Sequence, residues 1–332
     1  MKFLSCCKIE KKSKQEPEMI ISASRRTDIP AFYSEWFMNR LREKEVLVAN
    51  PYNRKKVDRI SLKEDAVDCI AFWTKDPSPM LPYLAEIDEM GYQYYFQVTI
   101  TDYEADIEEN VPDMADVMAT FILMSEKIGK ERMDWRFDPI LINEKYTIEY
   151  HIEKFEMMCR WLHKSASRCI LSFVDEYKDG IFQEPTEQEM RTLAKAFSQI
   201  AKHYKLPLYT CAEKIDLSEY GIEHGACVDK ERIQRLIGYK LDLERDHGQR
   251  KECRCLKSID IGAYGTCVHG CRYCYATKSK ESAKRRFEAH NPDSPMLTGD
   301  LKEDEVITER EVVSSRDYQL SLFDMPEMKQ NF

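Results

Sequence analysis

The strongest constraint on the fold is an alternation of segments between residue 19 and about residue 212. Seven short apolar runs occur there: MIISAS (19–24), VLVAN (46–50), VDCIAFW (67–73), YQYYFQVTI (92–100), MDWRFDPILI (133–142), RCILSFV (168–174) and LPLYTCA (206–212). They are short and rich in β-branched or aromatic residues, as strands buried on both faces of a parallel sheet are. Helical patterns fall between them at about 31–43, 78–90, 113–130, 147–163 and 186–204, with start signals at Pro79, Pro112-Asp113, Thr147 and Pro185-Thr186-Glu187. Only the link between the second and third runs is too short and polar for a clear helix. This order predicts an α/β fold, and seven runs with intervening helices suit a partial β/α barrel of parallel strands better than a doubly wound sheet.

The pattern breaks at Glu213. One more helix is expected at Lys230–Lys240, and then a charged stretch leads into a cysteine-rich region. The expected division is a flexible tail (1–18), the β/α barrel (19–212), a cysteine-rich cluster-binding segment (213–290) and a mobile tail (291–332). With 43% hydrophobic residues the chain can bury a sizeable core. No apolar run approaches the length of a membrane span, which predicts a soluble, cytoplasmic protein without a membrane partner. A net charge of −9 argues against a surface coated in positive potential and leaves room for a local basic groove.

Cysteine placement is the sharpest functional signal. Cys69, Cys159 and Cys169 sit singly in apolar or helical surroundings and read as core thiols. Beyond a Cys6-Cys7 pair in the tail, the remaining seven of twelve all lie between Cys211 and Cys274. With no secretory signal, such thiols serve metals or catalysis more often than disulfides. Cys267, Cys271 and Cys274 form a C-x-x-x-C-x-x-C array with Gly265 and Gly270 supplying backbone freedom. Three thiolates on a four-iron cubane leave one iron open to a small molecule such as S-adenosylmethionine, and Tyr273 could lie against its adenine. The alternative is structural zinc on Cys253-x-Cys255 and Cys271-x-x-Cys274, which leaves Cys267 without a task.

The array resembles the cluster loop of the radical S-adenosylmethionine superfamily, and C-V-H-G-C-R-Y-C-Y is similar to that of spore photoproduct lyases, which repair DNA. The chain also resembles an uncharacterised prokaryotic family carrying S-R-R-T-D-I-P, F-W-T-K-D-P and a late cysteine loop, here Ser24–Pro30, Phe72–Pro77 and Cys267–Cys274. The resemblance implies a [4Fe-4S] cluster on those three cysteines, S-adenosylmethionine as cofactor, Tyr273 at the cofactor, and an electron donor such as flavodoxin or ferredoxin. Superfamily members ordinarily carry this loop after the first barrel strand, whereas here it follows the last. A permuted arrangement is expected, in which the C-terminal segment folds back to cap the barrel mouth.

Cys211, Cys227, Cys253 and Cys255 remain. Four thiols match a second, auxiliary iron-sulfur cluster, with a structural zinc as the alternative. At the C-terminal ends of the runs stand Arg25, Arg26 and Asp28, then Asn50, Lys75, Gln97 with Thr99, Arg136 with Asp138, the Asp175–Tyr177 stretch, and Glu213. Active sites of parallel barrels form at that end. Arg25, Arg26, Lys75 and Arg136 could receive a carboxylate or phosphate, and Arg136 and Asp138 share a strand face.

Two features hint at nucleic acid. Lys278–Arg286 carries five basic residues against one glutamate, and Gln319-Leu320-Ser321-Leu322-Phe323 resembles the peptide by which repair proteins dock on the DNA sliding clamp. The expectation is a radical enzyme acting on nucleic acid, in repair or modification. The alternatives are a radical enzyme acting on a peptide or small metabolite, and a non-catalytic, metal-stapled adaptor for a replication or repair partner.

Overall fold

The computed structural model describes residues 20–53, 55–176, 181–302 and 304–309. Its centre is an eight-stranded sheet in which every neighbouring pair is parallel. Six strands come from the predicted runs: β1 (Ile20–Ala23), β4 (Cys69–Thr74), β5 (Tyr94–Thr99), β6 (Met133–Ile140), β7 (Arg168–Phe173) and β8 (Leu208–Thr210). Two-residue strands from the cysteine-rich region, β9 (Glu223–His224) and β10 (Ile259–Asp260), form the edges, giving the order β10-β1-β4-β5-β6-β7-β8-β9. From β4 to β8 the neighbours in the sheet follow one another in the chain. Among the described residues no pairing joins β9 to β10, so the sheet is open.

The VLVAN run is not a strand of this sheet. It forms β2 (Glu45–Ala49), which pairs antiparallel with β3 (Lys56–Ser61), and β11 (Val306–Glu309) joins β3 in parallel. The link after β2 is too short for the crossover a parallel strand needs, while an antiparallel partner needs only a turn. That turn is built on Asn50, whose side-chain oxygen accepts from the backbone of Tyr52 and Asn53.

Crossovers carry the helices. The first predicted helix is split into α1 (Ile29–Phe32) and α2 (Ser34–Glu43), and the second begins as a 3-10 turn before α3 (Leu84–Glu89). Helices α4 (Met114–Ile128), α5 (Ile148–Leu162) and α6 (Glu187–Tyr204) stand where the periodicity places them. A capping box fixes the start of α6: the Thr186 side chain accepts from the Glu189 backbone, and Glu189 accepts from that of Thr186 at 2.8 Å. Two helices lie beyond β8, α7 (Lys230–Ile237) and α8 (Lys280–Glu288). Residues 291–302, expected to begin a mobile tail, pack on α2 and β2: Trp36 donates to the Ser294 carbonyl at 2.9 Å and Leu47 to that of Pro295 at 2.9 Å. No helix among the described residues is long and apolar enough to cross a membrane.

Strand alternation separates two faces. Outward residues such as Phe72, Phe96, Trp135 and Leu171 join the helices in the main core. Phe72 and Phe96 stack at 4.6 Å, and Trp135, Phe155 and Phe197 form a stack down to α6. Inward residues include Cys69, Ala71 and Tyr95, covered by Val228, Ile233 and Leu241 of the C-terminal region. The inner face also buries charge. Asp134 accepts from Arg168 at 3.1 Å and from Arg232 of α7, fastening that region across the sheet.

Candidate active site at the strand ends

A cavity of about 970 Å³ opens at the C-terminal ends of the parallel strands. That end of the sheet is where successive strands deliver polar side chains to one place. All seven cysteines from Cys211 to Cys274 line it, together with Arg25, Arg26, Asp28, Lys75, Arg136 and Asp138. Tyr273, Asn50, Thr99 and Asp175 line it too, whereas Gln97 and Glu213, expected at the same strand ends, are not among the lining residues.

The cysteine loop is fastened to two segments of the N-terminal half. His269 meets the Asp28 carboxylate at 2.9 Å, and the Tyr275 hydroxyl donates to the Arg25 carbonyl at 2.8 Å. On the other side, Asn110 donates through its backbone to the His269 carbonyl at 2.8 Å, and Arg272 to that of Ile107 at 2.9 Å. Gly265 and Gly270 have φ of 68° and 73°, the left-handed turns that bend the loop back. The late loop thus reaches the strand ends by closing on β1, and β10 beside β1 carries it there.

Asp28 is a positioning residue. One oxygen caps α1 by accepting from Ala31 at 3.0 Å, and the other accepts from the Lys75 backbone at 2.7 Å besides His269. Asp260 works similarly at the end of β10, accepting from Ser24 at 2.7 Å and from the Arg25 backbone at 2.9 Å. The Arg25 side chain lies over Trp73 at 5.1 Å and that of Arg26 over Tyr264 at 5.4 Å.

Lys75 is not a free cation. Its ammonium bonds Glu108 at 2.8 Å, Glu108 also accepts from Thr101 at 3.0 Å, and the Tyr273 hydroxyl bonds the same carboxylate. Burial works against the Lys75 charge, and Glu108 with Cys271 outweighs it, so its pKa is raised. Burial pushes the Tyr273 hydroxyl well up, with Cys271 and Glu108 adding to it. Burial likewise pushes the Cys271 thiol up to about 12 against the pull of Lys75, and pushes the Cys267 thiol well up.

Arg136 is also committed. It forks onto Asp138 at 2.5 and 3.0 Å, reaches Gln97 at 3.1 Å, and donates to the Cys227 sulfur at 2.8 Å. Cys211 and Cys227 stand 3.0 Å apart at sulfur, and Cys255 accepts from the backbone of Cys227 and Val228 at 3.2 and 3.4 Å. Among the described residues no three His, Cys, Asp or Glu side chains gather as ligands of one ion. The thiolates of a cubane sit on different irons, so that finding bears on single-ion sites and not on a cluster.

Sequence reading missed Glu108, His269 and Asp260. Glu108 and Asp260 sit in unremarkable stretches whose partners only the fold shows, whereas His269 lies within the cysteine loop and so carried a signal. Tyr177, Cys6-Cys7 and the Gln319–Phe323 peptide lie outside the described residues. Helix α8 fulfils the basic stretch, but Lys280 pairs with Glu109 and Arg286 donates to the Tyr264 carbonyl at 2.7 Å.

The molecule is thus an α/β protein with a parallel eight-stranded sheet and a thiol-lined cavity at its strand ends. Residues 20–276 match the family described as domain of unknown function DUF1848, and the chain belongs to that family. The matched region runs from β1 to the end of the cysteine loop, so it contains the whole cavity floor. Comparison with curated proteins gives no match.

Proposed function

We propose that this is a radical S-adenosylmethionine enzyme whose cluster is held late in the chain by Cys267, Cys271 and Cys274. The observation that carries the reading is that all three thiols of the C-x-x-x-C-x-x-C loop line one cavity at the strand ends. The donor set fits the group: three thiols, two glycine turns, and a loop tied down on both sides. Cys267, Cys271 and Cys274 would hold a [4Fe-4S] cluster which, reduced by a donor such as flavodoxin or ferredoxin, would supply the electron for cleavage of S-adenosylmethionine to methionine and a 5′-deoxyadenosyl radical.

The protein's own residues hold the loop. Asp28 and His269 fix the loop against β1, and Glu108 ties Lys75 to Tyr273 beside Cys271. Holding the loop in place is what the protein contributes when a cofactor carries the hard chemistry.

For the substrate we favour a nucleobase, in nucleic acid or free. Guanidinium groups lie over aromatic rings at Trp73 and Tyr264, and Tyr52 on the cavity rim is 95% exposed. Such faces suit stacking on a heteroaromatic ring. Lys75 and Arg136 are already paired with carboxylates, which favours recognition of the base over recognition of phosphate.

Anaerobically purified protein should be brown and should release 5′-deoxyadenosine when given dithionite and S-adenosylmethionine. Replacing Cys267, Cys271 and Cys274 by Ala should abolish that release. A colourless, zinc-loaded wild type that releases none would reject the enzyme in favour of a metal-stapled adaptor.

A further inference from the structure

Four thiols stand apart from the cysteine loop and come from three places in the chain. Cys211 follows β8, Cys227 lies between β9 and α7, and Cys253 and Cys255 lie between α7 and β10. The fold brings them to one wall of the cavity.

Their surroundings differ from those of a core thiol. Cys159 is fully buried among apolar side chains, and burial pushes its thiol up with Glu156 adding to the shift. In the four-thiol group, donors are aimed at sulfur: the Arg136 guanidinium at Cys227, and two backbone N–H groups at Cys255. A neutral thiol is a weak acceptor, so a guanidinium and paired amides serve a thiolate. Arg25, half-buried, lines the same cavity. A buried guanidinium at Cys227 and a second one on the same cavity wall thus share this space with the sulfurs, an arrangement that metal-bound thiolates would balance.

We propose that Cys211, Cys227, Cys253 and Cys255 are the ligands of a second metal centre, held by four thiolates and separate from the cysteine loop. Four soft ligands suit a [4Fe-4S] cluster, whose irons are held one thiolate each. No ligand set for a single ion is preformed among the described residues, so a zinc ion would be taken only after the four side chains regroup; the shared chemistry is four-thiolate coordination. Uptake requires Cys211 and Cys227 to turn apart from their 3.0 Å contact. With four protein ligands no coordination position is left for substrate, so the centre is a staple. It ties the end of β8 to the two loops that cover the inner face, where regular structure is sparse and the apolar cluster small. The inference does not depend on the radical reading.

The test is metal content of the full chain with Cys267, Cys271 and Cys274 all replaced by Ala, purified anaerobically. We expect this variant to keep either about four irons with matching sulfide or about one zinc per chain. Iron with sulfide identifies a cluster and zinc a single ion, and both support the centre; a folded, metal-free variant overturns it. Should that variant fail to fold, the chain with Cys253→Ser and Cys255→Ser, compared with the wild type, decides: loss of about four irons or of about one zinc per chain supports the proposal, and unchanged metal content overturns it. Adding Cys253→Ser and Cys255→Ser to the otherwise native chain should remove only the second portion of metal. Failure of the radical reading would show separately, as a wild type that releases no 5′-deoxyadenosine whatever metal it holds.

Discussion

Residues 134 and 135 are neighbours on β6, yet they belong to opposite kinds of interior. Trp135 points outward into the aromatic stack with Phe155, while Asp134 points inward and bridges Arg168 and Arg232. The outer face is held by packing, where stability follows buried area and shape. The inner face is held by paired charge, where each partner is costly alone. The difference explains why polar and thiol side chains gather on one side: the inner face already organises buried charge, and Arg136 and Asp138 continue that row to the cavity.

The comparison breaks most sharply at β6 itself. Asp134→Ala should cost about 3–5 kcal/mol in chemical denaturation, because it leaves the buried Arg232 without a carboxylate and Arg168 with Asp229 alone. Replacing Arg168 and Arg232 by Met in the same chain should recover most of that loss. Trp135→Ala should cost a similar sum of about 3–5 kcal/mol through the cavity it leaves, and no charge change should rescue it. A rescue of Trp135→Ala, or none for Asp134→Ala, would mean the two faces are not held differently.

A pH series sharpens the same contrast on the helix side. His151 of α5 is buried, and burial holds its pKa down at about 4 although its bond to the Leu141 carbonyl opposes this. A histidine depressed in the folded state stabilises above its unfolded pKa of about 6.5, and that stability is lost as pH falls towards 4. The loss should approach about 3 kcal/mol in the urea midpoint followed across that range. His151→Gln should flatten the acid limb.

Smaller effects should follow at the loop and surface. Asp28→Asn weakens the hold on Lys75 and His269 and should cost about 1–3 kcal/mol. Its mark should be faster amide exchange at residues 264–276, with α5 and α6 unchanged. Arg42→Ala, which breaks an exposed pair with Glu86, should change stability by no more than about 1 kcal/mol.

Much of the outer architecture was readable because its signals are local. Periodicity and start residues placed α4, α5 and α6, and six apolar runs became parallel strands. VLVAN was misplaced because an apolar run reads alike in either sheet; its short polar link and pairing with β3 decided the matter. The thiol array was equally legible, since its spacing is a property of one short stretch. The partners of that array were not. Glu108 lies 165 residues from Tyr273, and Asp28 lies 241 from His269.

What the sequence determined by itself was the set of parts: an alternating chain, three closely spaced thiols, four more nearby, and charged residues at the ends of apolar runs. Tertiary structure decided which parts meet. It closed the late loop onto β1 through β10, and it matched Lys75, Arg136, Arg168 and Arg232 to carboxylates, Arg136 to a sulfur as well. The physical reason is range: turns, caps and periodicity act over a few residues, whereas burial makes a charge seek its partner wherever the chain delivers one.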